Sequence, residues 1–266
     1  MTRHYRFFVA PGVLTDAEPD ALIEVVDSDL KHQIAKVLRL KDGDQVTLLD
    51  GTGYLYRCLI MPECTGKRPS RETLSLKILD KQNPGVTKHP QKLTVCLPLI
   101  KIARFEWALE KLTEVGVDCI IPTETDRTQA QQQKTTRWQS IIKEAAEQSE
   151  KSYLPELKSP TRLSVILENS TKSNTDSERT LLVLLQEREK APDMVQYLYN
   201  LAADKTLPQP ARVVILLGPE GGFTPEEKQL INKSGAIALS LGQSILRTET
   251  AAILAAGIAH LAACVK

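Results

Sequence analysis

Two apolar runs, each ending in a glycine-rich loop that opens a helix, constrain this chain more than any other feature. The first is Val213–Leu217, continued as Gly218-Pro219-Glu220-Gly221-Gly222-Phe223 and then Thr224-Pro225-Glu226-Glu227. An unbroken apolar run of strand length suits a strand covered on both faces. Threonine can cap, proline suits the first helical position, and Glu227 completes a capping box, so a helix starts at once. The second is Leu239-Ser240-Leu241-Gly242-Gln243-Ser244-Ile245-Leu246-Arg247-Thr248-Glu249, leading into the small-residue stretch Ala251–Val265. In open α/β sheets, ligands sit beyond the carboxyl ends of the strands, where glycines let backbone amides come close. Arg247 and Glu249 stand at the second helix entrance, where by themselves they read first as a surface ion pair with a dipole-compensating carboxylate and second as a cation and a carboxylate facing such a position.

The rest of the second half supports an α/β fold with a mostly parallel sheet. Lys92–Leu97 and Leu181–Leu185 are strands, and Val117–Ile121 is a short one ended by Pro122. Ile102, Phe105, Leu109, Leu112 and Val115 recur at helical spacing before Gly116, which predicts an amphipathic helix with a glycine stop. Trp138, Ile141, Ile142, Ala145 and Ser149 mark another helix. Asn169–Glu178 and Asp204–Pro210 read as polar loops.

The first 80 or so residues are β-rich instead. Val46–Leu49 and Tyr54–Ile60 flank Asp50-Gly51-Thr52-Gly53, a hairpin signal. Leu74–Leu79 adds a strand, and Leu30, Ile34, Val37 and Leu38 predict a short helix over Leu30–Val37. Asn83-Pro84-Gly85 through His89-Pro90 reads as a linker. The organisation expected is residues 1–80 as one module, 81–90 as linker and 91–266 as a second domain.

With 266 residues and 34 Lys+Arg against 33 Asp+Glu, bulk electrostatic binding of nucleic acid is excluded, though a local basic face is not. Arg3, His4, Arg6, Lys31, His32, Lys36, Arg39 and Lys41 read equally as such a face or as solvated surface, and Phe8, Tyr54 and Tyr56 are available either for stacking or for a barrel core. The five cysteines are scattered with no C-x-x-C pair, so neither a disulfide framework nor a metal site is expected. Phe7–Ala10 is too short for a signal-peptide core, and a soluble, cytoplasmic protein with no membrane contact is expected. No G-x-G-x-x-G or G-x-x-x-x-G-K-[ST] motif is present, which disfavours dinucleotide and nucleoside-triphosphate sites.

Together, Gly218–Phe223 and Leu241-Gly242…Ile245-Leu246-Arg247-Thr248-Glu249-Thr250-Ala251 resemble the ribosomal small-subunit RNA uridine-N3 methyltransferase family (RsmE) of the SPOUT superfamily. Arg6–Val9, His32…Val37-Leu38-Arg39-Leu40 and Leu49-Asp50-Gly51 are similar to its PUA-like RNA-binding barrel. Lys101…Arg104-Phe105-Glu106…Lys111-Leu112-Thr113-Glu114-Val115-Gly116 and Glu144–Ser149 are similar to its central motifs. The resemblance implies an N-terminal PUA-like β-barrel and a C-terminal SPOUT α/β domain with a trefoil knot.

It further implies a homodimer that methylates N3 of one uridine in 16S ribosomal RNA or the small ribosomal subunit. The implied cofactor, S-adenosyl-L-methionine, would be held by Leu217, Gly218, Pro219, Glu220, Gly221, Gly222, Leu241, Gly242, Ile245 and Leu246. Arg247 would stabilise charge developing on the base, and Glu249 would orient Arg247 or assist proton removal. Arg6, His32, Lys36, Arg39 and Arg127 would contact RNA. The small residues Ala251, Ala252, Ala255, Ala256, Gly257 and Ala259 would allow a close helix seam between subunits. The alternatives are 2′-O-ribose methylation within the same superfamily and a non-catalytic ribosome-assembly factor.

Overall fold

The computed structural model describes residues 5–10, 12–62, 73–83, 91–128, 134–172, 179–186, 191–204, 206 and 209–264. Arg3 and His4 of the basic cluster lie outside these residues, as do 84–90 of the expected linker, 173–178 and parts of 204–210. The chain divides into two compact units: Met1–Val86 with Ala146–Tyr153, and Thr87–Ala145 with Leu154–Lys266.

The first unit is built on strands β1 (Arg6–Phe8), β2 (Leu22–Val26), β3 (Gln45–Leu49), β4 (Leu55–Ile60) and β5 (Thr73–Gln82). They form one sheet in the order β1-β3-β4-β5-β2, antiparallel except for β1 beside β3. The hairpin read from Asp50–Gly53 is therefore present as β3 and β4. Strand β5 runs on to Gln82, into what the sequence offered as linker. The expected helix over Leu30–Val37 starts earlier: Asp27 caps α1 (Ser28–His32) by accepting from the amides of Asp29 and Leu30. A π-helical turn, Gln33–Val37, continues it and keeps Leu30 and Ile34 in the core. Phe8 and Tyr56 are buried and only Tyr54 reaches the surface, so two of the three aromatics offered for stacking serve the core.

Residues 146–153 belong to this unit through side-chain and backbone bonds. The Phe8 amide donates to Glu147 Oε1 at 2.8 Å, and Arg6 pairs with the Glu150 carboxylate at 2.9 Å. Ala146 packs with Phe8, Leu49 and Leu55. A side chain at Gly53, whose φ is +97°, would overlap the Tyr153 hydroxyl.

The second unit carries β6 (Lys92–Pro98), α2 (Ile102–Val115), β7 (Cys119–Glu124), all but the last three residues of α3 (Thr135–Gln148), β8 (Glu156–Leu157), β9 (Thr161–Arg162) and α4 (Leu163–Lys172). These are followed by β10 (Thr180–Leu185), α5 (Met194–Ala203), β11 (Arg212–Leu216), α6 (Pro225–Lys233), β12 (Ile237–Leu239) and α7 (Thr248–Ala263). Its parallel sheet has the order β12-β10-β11-β6-β7-β8, with β9 also on β7. Because successive strand residues face opposite ways, both faces are apolar. Val213, Ile215 and Leu217 join one core with Phe105, Leu109, Trp138, Met194 and the buried alanines of α7. Val214 and Leu216 join the other with Leu163, Leu167 and Ile231.

Three local departures have physical causes. β7 does not stop at Pro122 but runs through it to Glu124. Its outer partner changes there from β8, opposite Ile120, to β9, opposite Thr123, so the missing proline N–H falls between two short strands. α4 takes the first residues of the expected loop at Asn169, with the Ser170 hydroxyl donating back to Ile166 O. Gly116 ends α2 at φ 97°, the left-handed stop its sequence indicated. Among the described residues no helix is long and apolar enough to cross a membrane, and no cluster of His, Cys, Asp and Glu could hold a metal ion.

Candidate active site

Both glycine loops leave the carboxyl edge of the second unit's sheet. In the first, the Gly222 amide donates to Pro219 O at 2.8 Å, and Gly222 takes φ +68°. A side chain at Gly218 would come within 3.2 Å of the Phe223 ring, which folds back beneath the loop. Leu217 is buried in the core, so only its backbone is available to a ligand. The helix that follows begins with the full capping box: Thr224 and Glu227 bond reciprocally, and Pro225 stands in the first turn.

Glu227 is buried for a second reason. Its Oε2 accepts the Thr224 amide and its Oε1 accepts the Asp126 amide, each at 2.9 Å. One carboxylate thus docks the turn after β7 onto the first loop. From that turn, Arg127 lies over Gly221 and donates from Nη1 to its carbonyl at 2.5 Å. A Cβ at Gly221 would sit 3.3 Å from Arg127 Cδ, so any side chain there has to push the exposed Arg127 chain aside.

The second loop is pinned at its start. Ser240 exchanges backbone bonds with Pro192 and Met194, and its hydroxyl holds both the amide and the carbonyl of Gly242. Beyond Gly242, at φ +102°, Ile245 is 58% exposed and Leu246 half-buried. The Thr248 hydroxyl donates to Gly218 O at 3.1 Å and joins this loop to the first.

The charges are arranged differently from the sequence expectation. Arg247 is exposed at the N-cap of α7, while Glu249 is buried. Residues two apart at a helix start face different ways, so the expected Arg247–Glu249 pairing does not form. The partner is Arg104 of α2, with Nε 3.7 Å from Glu249 Oε1 and Nη1 on the Glu220 carboxylate of the first loop. Glu249 Oε2 is buried with no hydrogen-bond partner among the described residues.

Arg104, Asp126 and Thr248 are site residues to which sequence reasoning gave no role, although Arg104 and Thr248 stand within its motifs. A signal existed for Arg104: it is a cation in the first turn of a helix with no acidic residue there, which the helix dipole disfavours without a partner. Of the residues offered for RNA contact, Arg6 is held by Glu150, whereas His32, Lys36 and Arg39 are exposed on and after α1. All four belong to the first unit, and Arg127 alone joins the glycine loops.

The RNA methyltransferase domain family matches residues 87–260, and the RNA methyltransferase PUA domain matches residues 27–60. Ribosomal RNA small subunit methyltransferase E of Synechocystis sp. is 33% identical over 94% of this chain and 75% of its own length. A Legionella pneumophila methyltransferase, solved with bound SAM, superposes with a TM-score of 0.78 at 28% identity, covering 98% of each chain. Ribosomal RNA small subunit methyltransferase E of Neisseria gonorrhoeae has the same fold, with a TM-score of 0.76 at 24% identity over 96% of this chain and 95% of its own. The α/β unit with its parallel sheet and the PUA-like first unit are thus those of a SPOUT methyltransferase, and the chain belongs to the ribosomal RNA small subunit methyltransferase E family.

Proposed function

We propose that this enzyme transfers a methyl group from S-adenosyl-L-methionine to N3 of a uridine in 16S ribosomal RNA. The observation that carries the reading is the pair of glycine loops joined by Thr248 and Gly218 at the carboxyl edge of the sheet. The residues fit a cationic cofactor: backbone amides and carbonyls line both loops, and Glu249 offers a buried carboxylate oxygen with no partner among the described residues. The backbone of Leu217 to Gly222 and of Leu241 to Leu246 would hold it, with the side chains of Ile245 and Leu246 against the adenine. A knotted chain path through these loops is part of the same reading.

The cofactor supplies an electrophilic methyl group, and the protein's own groups place the base and handle its charge. N3 lies on the Watson–Crick edge, so the uridine is unpaired when it reacts. As the N3 proton leaves, negative charge spreads to the flanking carbonyl oxygens. Arg247, exposed at the loop mouth, stabilises that charge. Glu249 faces Arg104 at 3.7 Å and acts from there rather than through Arg247. His32, Lys36, Arg39 and Arg127 contact phosphates of the RNA.

The dimer reading moves to another face of α7. Ala252, Ala255, Ala256 and Ala259 are buried within this chain, while Leu254 and Leu261 are exposed two turns apart. We place the homodimer seam on that outer face, and the cell compartment in the cytoplasm.

Calorimetry with S-adenosyl-L-methionine tests the core of the reading. Wild-type protein binds, and Gly221→Val, which drives a side chain into Arg127, does not. No binding at millimolar cofactor would promote the non-catalytic assembly-factor reading. Nucleoside mapping of 16S RNA from a deletion strain tests base and atom together; a missing 2′-O-methyl group would point to ribose methylation instead.

A further inference from the structure

Arg104 pairs with two carboxylates from separate elements, Glu220 of the first loop and, at 3.7 Å, Glu249 at the entrance of α7. Two carboxylates share one guanidinium, so the cluster keeps a net negative charge. The Glu249 side chain is 6% exposed, and its Oε2 has no hydrogen-bond partner among the described residues. A buried anionic acceptor left in that state is costly and calls for a hydrogen-bond donor, preferably a charged one.

The candidates separate on chemistry. A sulfonium carries no hydrogen to donate. The imide N–H of uracil is excluded by direction, because the methyl group must arrive in the ring plane along the line the proton occupied. An ammonium group supplies both the hydrogen bond and the missing positive charge.

We propose that Arg104 is a positioning residue: it faces Glu249 Oε1 at ion-pair distance and leaves Oε2 to receive the α-ammonium group of the cofactor's amino-acid end. Its hydrogen bond to Glu220 lets the same guanidinium keep the first glycine loop in register with that anchor. This inference rests on the methyltransferase reading.

Three ligands test it by calorimetry on the full chain: S-adenosyl-L-methionine, S-adenosylhomocysteine and 5′-methylthioadenosine, which lacks the amino-acid end. Glu249→Gln weakens the first two by about tenfold or more and leaves the third within about twofold, while Arg104→Gln, which also frees the first loop, weakens the first two by more than it weakens the third. The double variant is no weaker than the worse single variant, as residues acting as one unit require. Arg104→Lys, which keeps the charge but loses the fork, restores only part of the affinity.

Equal loss for all three ligands would mean a collapsed loop and overturn the proposal, and so would no loss for any. Loss for S-adenosyl-L-methionine alone would assign Glu249 to the sulfonium and overturn it too. Failure of the wild-type protein to bind any of the three would instead sink the methyltransferase reading. Folding of each variant is confirmed by its thermal transition, and the 5′-methylthioadenosine affinity serves as the internal control.

Discussion

The Thr248 hydroxyl donates to the Gly218 carbonyl at 3.1 Å, across 30 residues of sequence. The two loops it joins leave β11 and β12, which are not neighbours, because β10 lies between them. At about 4.8 Å per strand, the loops must lean together over the end of β10 across about 10 Å. The bond sits at the point where they meet.

Thr248→Ala removes that bond while leaving both backbones intact. S-adenosyl-L-methionine affinity should fall about three- to tenfold, with a stability loss of about 1 kcal/mol. Thr248→Ser should retain near wild-type affinity. Unchanged affinity in Thr248→Ala would show that the loops hold their spacing without it.

Gly53 is constrained twice, by a φ of +97° and by the Tyr153 ring against it. Gly53→Ala should cost about 1–3 kcal/mol in urea denaturation. Adding Tyr153→Ala relieves the overlap but not the backbone strain, so the double variant should recover only part of the loss expected from the two changes summed. Strict additivity would argue that the ring yields freely.

Lys36 and Arg39 are exposed, whereas Arg6 is tied to Glu150. In binding to a 16S RNA fragment, Lys36→Gln and Arg39→Gln should each reduce the slope of log K against log salt by about 0.7–0.9. Arg6→Gln should leave the slope alone and lower the thermal midpoint of the first unit. A slope change for Arg6 and none for the other two would reverse the assignment.

Burial pushes the Cys58 thiol up to about 12 and the Cys119 thiol up to about 11, and raises Cys96 further still. In the unfolded chain these thiols ionise near pH 8.5, so above that pH the unfolded state binds fewer protons. Stability is unaffected below pH 8, then falls as pH rises, by up to about 1.4 kcal/mol per pH unit for each thiol. Urea midpoints from pH 8 to 10.5 should show the fall, and Cys58→Ala should flatten it. Iodoacetamide at pH 8 should leave Cys58 and Cys96 unmodified until the protein unfolds.

What could be read from the chain was local. Thr224-Pro225-Glu226-Glu227 specified its capping box within four residues, and Gly116 its own left-handed stop. The glycine loops were legible because strand, loop and helix follow one another without interruption. Arg104 was not, because its partners lie 116 and 145 residues away, and no periodicity in α2 distinguishes a cation facing solvent from one facing a distant carboxylate. Pro122 misled for the same reason: whether a proline ends a strand depends on what pairs with it, here a gap between β8 and β9. The membership of Ala146–Tyr153 in the first unit was hidden for the same reason, since its bonds to Phe8 and Arg6 span 139 and 144 residues.

That returning segment sets an order of assembly. The strands of the first unit end at Gln82, yet the amide of Phe8 and the guanidinium of Arg6 find their partners only at Glu147 and Glu150. During synthesis the early sheet must therefore wait, with Phe8 and Leu49 incompletely covered, until Ala146 has left the ribosome. A fragment cut at Val86 would reproduce that waiting state permanently. The amino-terminal module is first to be made but cannot be first to be finished.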